Sequence, residues 1–314
     1  MSDSKGVNRL FLVIVTLFVA AGFVINRVLP MEVPVYASAL IGQLVIFLPA
    51  LFYCRKRKIA VKELIPYRKI SFSTGILVVI TTLLMYPLMV VLNAITLLFT
   101  NSATAAMQAQ MADLNIVIYT LIIAVVPACV EEFVFRGVLF QTYRNKRVFT
   151  AILLSAFLFG CMHMNLNQFV YAFALGIYMA FLVEGTGSII SSMIAHFTVN
   201  FIGVALSTMA KAASGQQGVS QAVGQTGNFL QYDNGYVFML LVGILMWFVI
   251  AVGTTIGAIA IYIQICKRNN KWEHMKTIFR RKNEETIITI PLILGVAITV
   301  VMIILAFYKG KVLL

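Results

Sequence analysis

Charge is scarce in this chain. Only 11% of its 314 residues are Asp, Glu, Lys or Arg, and 61% are hydrophobic. An ordinary soluble domain carries about 25% charged residues, so a soluble globular class does not fit. Cysteine is sparse too: four residues, at 54, 129, 161 and 266, no two of them close in sequence. Each lies in or at the end of an apolar run and reads as a small hydrophobe, which excludes a disulfide framework or a Cys-rich metal site. The apolar runs do not alternate, which excludes porin-like strands. There is no His-Glu-x-x-His and no Gly-x-Ser-x-Gly, so neither a compact zinc signature nor a nucleophile elbow is available. No internal repeat is visible, which weighs against a transporter built from repeated halves without excluding one. Histidine is rarest of all these chemical groups, with three residues.

What the chain has is long apolar stretches. They fall at 10–25, 35–53, 72–99, 115–135, 149–162, 168–183, 187–208, 236–265 and 286–308. Several reach the ~20 residues that a helix needs to cross a bilayer. The fold class expected is all-α, a polytopic membrane helix bundle of eight or nine spans. The first run lacks a small-residue cleavage site and reads as a retained helix rather than a cleaved signal peptide. The 149–162 and 168–183 runs are short, and short elements at membrane depth need protein or a cavity to shield them. Pro87 inside the 72–99 run predicts a tilted or kinked helix.

The formal net charge is +13, and topology accounts for it. With the N-terminus inside and alternating spans, nineteen of the 24 basic residues fall at Lys5 and Arg9, in 55–69, in 144–147 and in 267–282, all on one side. Arg27, Lys211, Lys309 and Lys311 fall on the other, and Arg136 lies within a span. This split follows the positive-inside rule. The basic loops face anionic lipid, and no nucleic-acid role is needed. The expected organisation is N-terminal transmembrane helices over 1–112, a core over 113–208, an external Gly-, Gln- and Ser-rich loop over 209–235 and C-terminal transmembrane helices over 236–314. Trp272, Met275, Ile278 and Phe279 among basic residues predict a short interfacial helix within 269–281.

Against this apolar background a few ionisable groups stand out: Glu131, Glu132 and Arg136 in one run, His163 at the end of another, and His196 with Asn200 in a third. Charge at membrane depth is costly, and groups kept there usually face the protein interior and have a task. Glu132 and Arg136 are i and i+4, so Arg136 is expected to neutralise Glu132. Glu131 is left without a sequence-local cation and is the candidate general base. His196 and Asn200 share a helix face and can both donate hydrogen bonds, enough to hold developing charge on an oxygen. The same residues also fit a structural ion cluster and a helix–helix polar clamp. At 1.5 Å per residue, the three groups lie within one ~30 Å hydrocarbon layer and can meet. A metal variant is chemically open: Glu131, His163 and His196 are N and O ligands that zinc accepts.

Glu131-Glu132-x-x-x-Arg136, Phe159-x-x-x-His163 and His196-x-x-x-Asn200, in this order on separate helices, resemble the motifs of the type II CAAX prenyl endopeptidases and their bacterial relatives. The latter form the CAAX protease and bacteriocin-processing, or Abi, family. The resemblance spans roughly 115–208, and Arg136-Gly137 and Gly185-Thr186-Gly187-Ser188 also fit it. It implies an intramembrane endopeptidase acting on membrane-associated protein or peptide substrates. By position, Glu131 and His163 would activate water, His196 and Asn200 would form the oxyanion site, and Glu132 with Arg136 would hold the arrangement. A metal-independent glutamate mechanism is favoured, because His196 and Asn200 already offer the electrophilic help of a metal; zinc is the alternative cofactor. The expected partners are a membrane-associated substrate and the lipid bilayer, with no nucleic acid. The expected location is a bacterial plasma membrane, multi-pass, with the N-terminus cytoplasmic. Two other readings stay open: a non-enzymatic immunity or scaffold protein, and a small-solute transporter using Glu131 and His163 as a relay.

Overall fold

The computed structural model describes residues 3–29, 31–100, 102, 107, 108, 110, 111, 113–224, 234–279 and 287–309, and of 214–224, 234, 236 and 309 only the backbone. Among them there is no strand. The main helices are α1 (Ser4–Val28), α2 (Val35–Lys56), α3 (Phe72–Leu97), α4 (Ile116–Arg144), α5 (Val148–Met162), α6 (Leu166–Thr186), α7 (Ile189–Gly224), α8 (Asn234–Arg268) and α9 (Ile290–Lys309). Eight are long and apolar enough to cross a membrane, and α5, with 15 residues, is shorter. This is a multi-pass helical membrane protein, and α5 is the short element among its spans. At about 22 Å it stops within the ~30 Å hydrocarbon depth, and the other helices shield the turn that follows it.

The second half of α4 is the centre of the bundle. Every residue from Glu132 through Tyr143 is buried. It is packed by α2, α5, α6 and α7, while α8 lies along α3. The outward side of α8 carries Phe238, Met246, Val249 and Ile256, all exposed, as befits a helix bordered by lipid. Sparse polar ties set the register. Tyr178 Oη on α6 lies 2.8 Å from Thr81 Oγ1 and 3.0 Å from Thr82 Oγ1 on α3. Tyr143 Oη on α4 donates to Asn8 Oδ1 on α1 at 2.6 Å, and Asn8 Nδ2 donates to Ile287 O at 2.8 Å. These buried polar groups thus find partners on other segments, as a low-dielectric interior favours.

The third histidine belongs to a separate cluster at the basic end. Glu184 accepts from Arg144 Nε at 2.5 Å and from Arg144 Nη2 at 3.1 Å, and lies 2.6 Å from His274 Nε2. This ties α4 and α6 to the short helix Trp272–Thr277, which occupies the stretch expected to be interfacial. The loop expected over 209–235 is helical in its first part, because α7 runs on to Gly224. Proline is absent from that stretch, and its Ala, Gln and Ser residues tolerate a helix that the composition alone reads as a loop. Positions 225–233 of that expected loop lie outside the described residues.

Candidate active site within the bundle

α4 is not a uniform α-helix. Leu121–Val125 and Phe133–Leu139 are π-helical, flanking the α-helical turn Val126–Glu132. Pro127 at the start of that turn lacks an N–H, which loosens the ladder locally. Such π turns re-aim side chains and free carbonyls, and they cluster at functional positions. One consequence is direct: Asn200 Nδ2 on α7 donates to the carbonyl of Ile123, inside the first π stretch, at 2.9 Å.

Glu131 and Glu132 follow and take different partners. Arg136 Nη1 donates to Glu132 Oε1 at 2.9 Å, and both side chains are fully buried. The same carboxylate oxygen lies 3.0 Å from His196 Nδ1. Glu131 turns instead toward α2, where Gln43 Nε2 donates to Glu131 Oε1 at 2.7 Å. Its other oxygen stands 3.7 Å from His196 Nε2. His196 therefore bridges the two glutamates: one nitrogen is held by a carboxylate locked to an arginine, and the other points at Glu131. Fixing one ring nitrogen is what sets the orientation of an imidazole and the role of its second nitrogen.

Phe159 organises the surroundings. The Arg136 guanidinium lies 4.4 Å from its ring centroid. The rings of His163 and His196 meet it edge-on at 5.2 and 5.7 Å. One aromatic ring thus touches all three motifs, through a cation–π contact and two T-shaped contacts. The guanidinium has room because Gly176 on α6 faces it: a Cβ there would sit 3.1 Å from Arg136 Nη2 and 2.9 Å from Ala156 Cα.

His163 caps α5, and the next residue, Met164, takes a left-handed conformation with φ of 50°. A non-glycine residue there is uncommon and is held in place by its surroundings. Asn165 supplies the hold. Its Nδ2 donates to His163 O at 2.7 Å, and its Oδ1 accepts from Gln168 N at 2.8 Å, capping α6. The strained turn presents the His163 ring to the same cavity as Glu131, His196 and Asn200. That cavity has a volume of about 1810 Å³.

All six residues expected from the sequence are therefore brought together, four on the cavity wall and the Glu132–Arg136 pair behind it. Among the described residues, no group of three or more His, Cys, Asp or Glu side chains is placed to hold a metal ion. Glu131, His163 and His196 share the cavity without forming such a group. Sequence reasoning missed Gln43, although it is the lone amide in the apolar run 35–53, the signal that could have found it. It also left Phe159 without a role and gave none to Asn167, whose Nδ2 donates to Asn93 Oδ1 at 2.8 Å and to Thr96 Oγ1 at 2.9 Å.

Comparison with known proteins bears on the same segment. Residues 113–202 match the family model described as type II CAAX prenyl endopeptidase Rce1-like. The match contains all three motifs, and the resemblance they carry is found independently. Neither the curated proteins nor the solved structures return a match to the chain.

Proposed function

From a chain whose residues 113–202 match the type II CAAX prenyl endopeptidase Rce1-like family, we propose an intramembrane endopeptidase that hydrolyses peptide bonds of membrane-associated substrates without a metal. The observation that carries this reading is the His196 bridge, with Nδ1 at 3.0 Å from Glu132 and Nε2 at 3.7 Å from Glu131 inside the cavity. Glu131, assisted by His163, takes a proton from water, and the water oxygen adds to the scissile carbonyl carbon. The carbonyl oxygen gains the negative charge and is received by the second N–H of Asn200 and by His196, which donates from both ring nitrogens, Nδ1–H to Glu132 and Nε2–H to the oxygen. Donors aimed at that oxygen act strongly in a water-poor site. The C–N bond then breaks, and the proton held by Glu131 passes to the leaving amine. Glu132 and Arg136 do not touch the substrate; they orient His196. Gln43 orients Glu131. The host membrane is proposed to be a bacterial plasma membrane.

The test is cleavage of a labelled membrane-peptide library by detergent-purified protein. Glu131→Gln and His163→Ala are each expected to abolish cleavage with circular dichroism unchanged. Undiminished cleavage in both variants would sink the reading.

A further inference from the structure

The cavity has a direction. Its wall includes Leu29 and Glu32 between α1 and α2, Phe99 and Gln108 between α3 and α4, and Tyr308 at the end of α9. Among the described residues, no lining residue comes from the connections α2–α3, α4–α5, α6–α7 or α8–α9. Those connections and the helix ends that flank them hold most of the basic residues, among them Arg55, Arg68, Arg144, Lys146, Lys267 and Arg268. The cavity thus opens at the end remote from the basic loops, and basic loops stay on the cytoplasmic side.

The wall also has a chemical character. Among the described residues it contains no lysine or arginine, and its acids are Glu32 at the mouth and Glu131 in the depth. Among its apolar residues stand several amides, Gln43, Asn93 and Asn167 among them. Amides set among apolar side chains give a peptide backbone polar groups to meet, and an extended peptide offers one N–H every residue or two along its length.

We propose that the site takes an extended, non-acidic peptide segment from the extracytoplasmic face, its backbone lying along the amide-bearing wall. The proposal rests on the hydrolytic reading above for the fate of the peptide, not for its binding. Acidic segments are disfavoured because Glu32 and Glu131 meet them with like charge and no lysine or arginine among the described wall residues offsets it.

The experiment uses two cysteine variants at the mouth, Met31→Cys and Gln108→Cys, in full-length protein in cells, with the unmodified chain as background. A membrane-impermeant maleimide should label both variants in intact cells and fail to label them from the cytoplasmic side of inverted vesicles. In detergent, an N-acetylated, C-amidated heptapeptide of leucine, alanine and glutamine should slow labelling of Gln108→Cys about threefold or more, and its counterpart with two aspartates should not. Labelling only in inverted vesicles would overturn the direction. Equal protection by the two peptides, or protection by neither, would overturn the substrate class. None of these readouts needs hydrolysis. Absence of cleavage with labelling and protection intact would count against the endopeptidase and leave this binding site standing.

Discussion

Replacing Arg136 by alanine tests the internal logic of the site. Glu132 and Arg136 are both 0% exposed and joined at 2.9 Å. Removing one member of such a pair leaves a buried charge uncompensated, at a cost of about 3–5 kcal/mol. Proteins are stable by roughly 5–15 kcal/mol, so this is a large fraction of the total. The cation–π contact with Phe159 at 4.4 Å disappears too, worth about 2 kcal/mol when desolvated; the two losses overlap because one guanidinium makes both. His196 Nδ1 stays beside Glu132 and softens the effect. Arg136→Lys should be milder but not neutral, since a point charge replaces a planar fork. Glu132→Gln should recover much of the loss in Arg136→Ala, because it removes the orphaned charge. Glu131→Gln should not, since Glu131 is held by Gln43 on another helix. The assay is the thermal midpoint in detergent of the single variants and the two double variants. Rescue by Glu131→Gln and not by Glu132→Gln would refute the assignment and make Glu132 the candidate base.

Gln43→Leu keeps the side-chain bulk but removes the donor to Glu131; a hydrogen bond to a charged group is worth about 1.5–3 kcal/mol, so kcat should fall about tenfold or more with KM and thermal midpoint little changed. A fall in the midpoint with kcat unchanged would make Gln43 merely structural. Gly176→Ala places a Cβ 2.9 Å from Ala156 Cα, an overpacking expected to cost about 1–3 kcal/mol; an unchanged midpoint would mean that α5 and α6 are not packed as described. Cleavage should survive chelator, and elemental analysis of active protein should find no stoichiometric zinc. One zinc per chain, lost together with activity, would turn Glu131 from base into ligand.

Much of the architecture was legible in the sequence because the bilayer imposes it. Spans of about 20 apolar residues, separated by basic clusters on one side, define a helical membrane protein without any knowledge of packing. The Glu132–Arg136 pair was legible for a similar reason: an i,i+4 spacing places partners on one helix face wherever that helix lies. The three motifs marked which helices carry chemistry, since ionisable groups are rarely kept in hydrocarbon without a task. Local pattern does not report which helices touch, and there the sequence stopped. That His196 stands between the two glutamates, that Gln43 reaches Glu131 across 88 positions, and that Phe159 contacts Arg136 and both histidines are products of helix packing. The π turns of α4 decide which way the two carboxylates face, and the left-handed Met164 decides where His163 points. Neither has a sequence signal, because each is a local strain over-determined by contacts from distant segments. Composition and periodicity determined the membrane helices and the chemical groups; only the tertiary structure decided their partners, because a hydrogen bond at 3 Å depends on the relative placement of whole helices rather than on the chain between them.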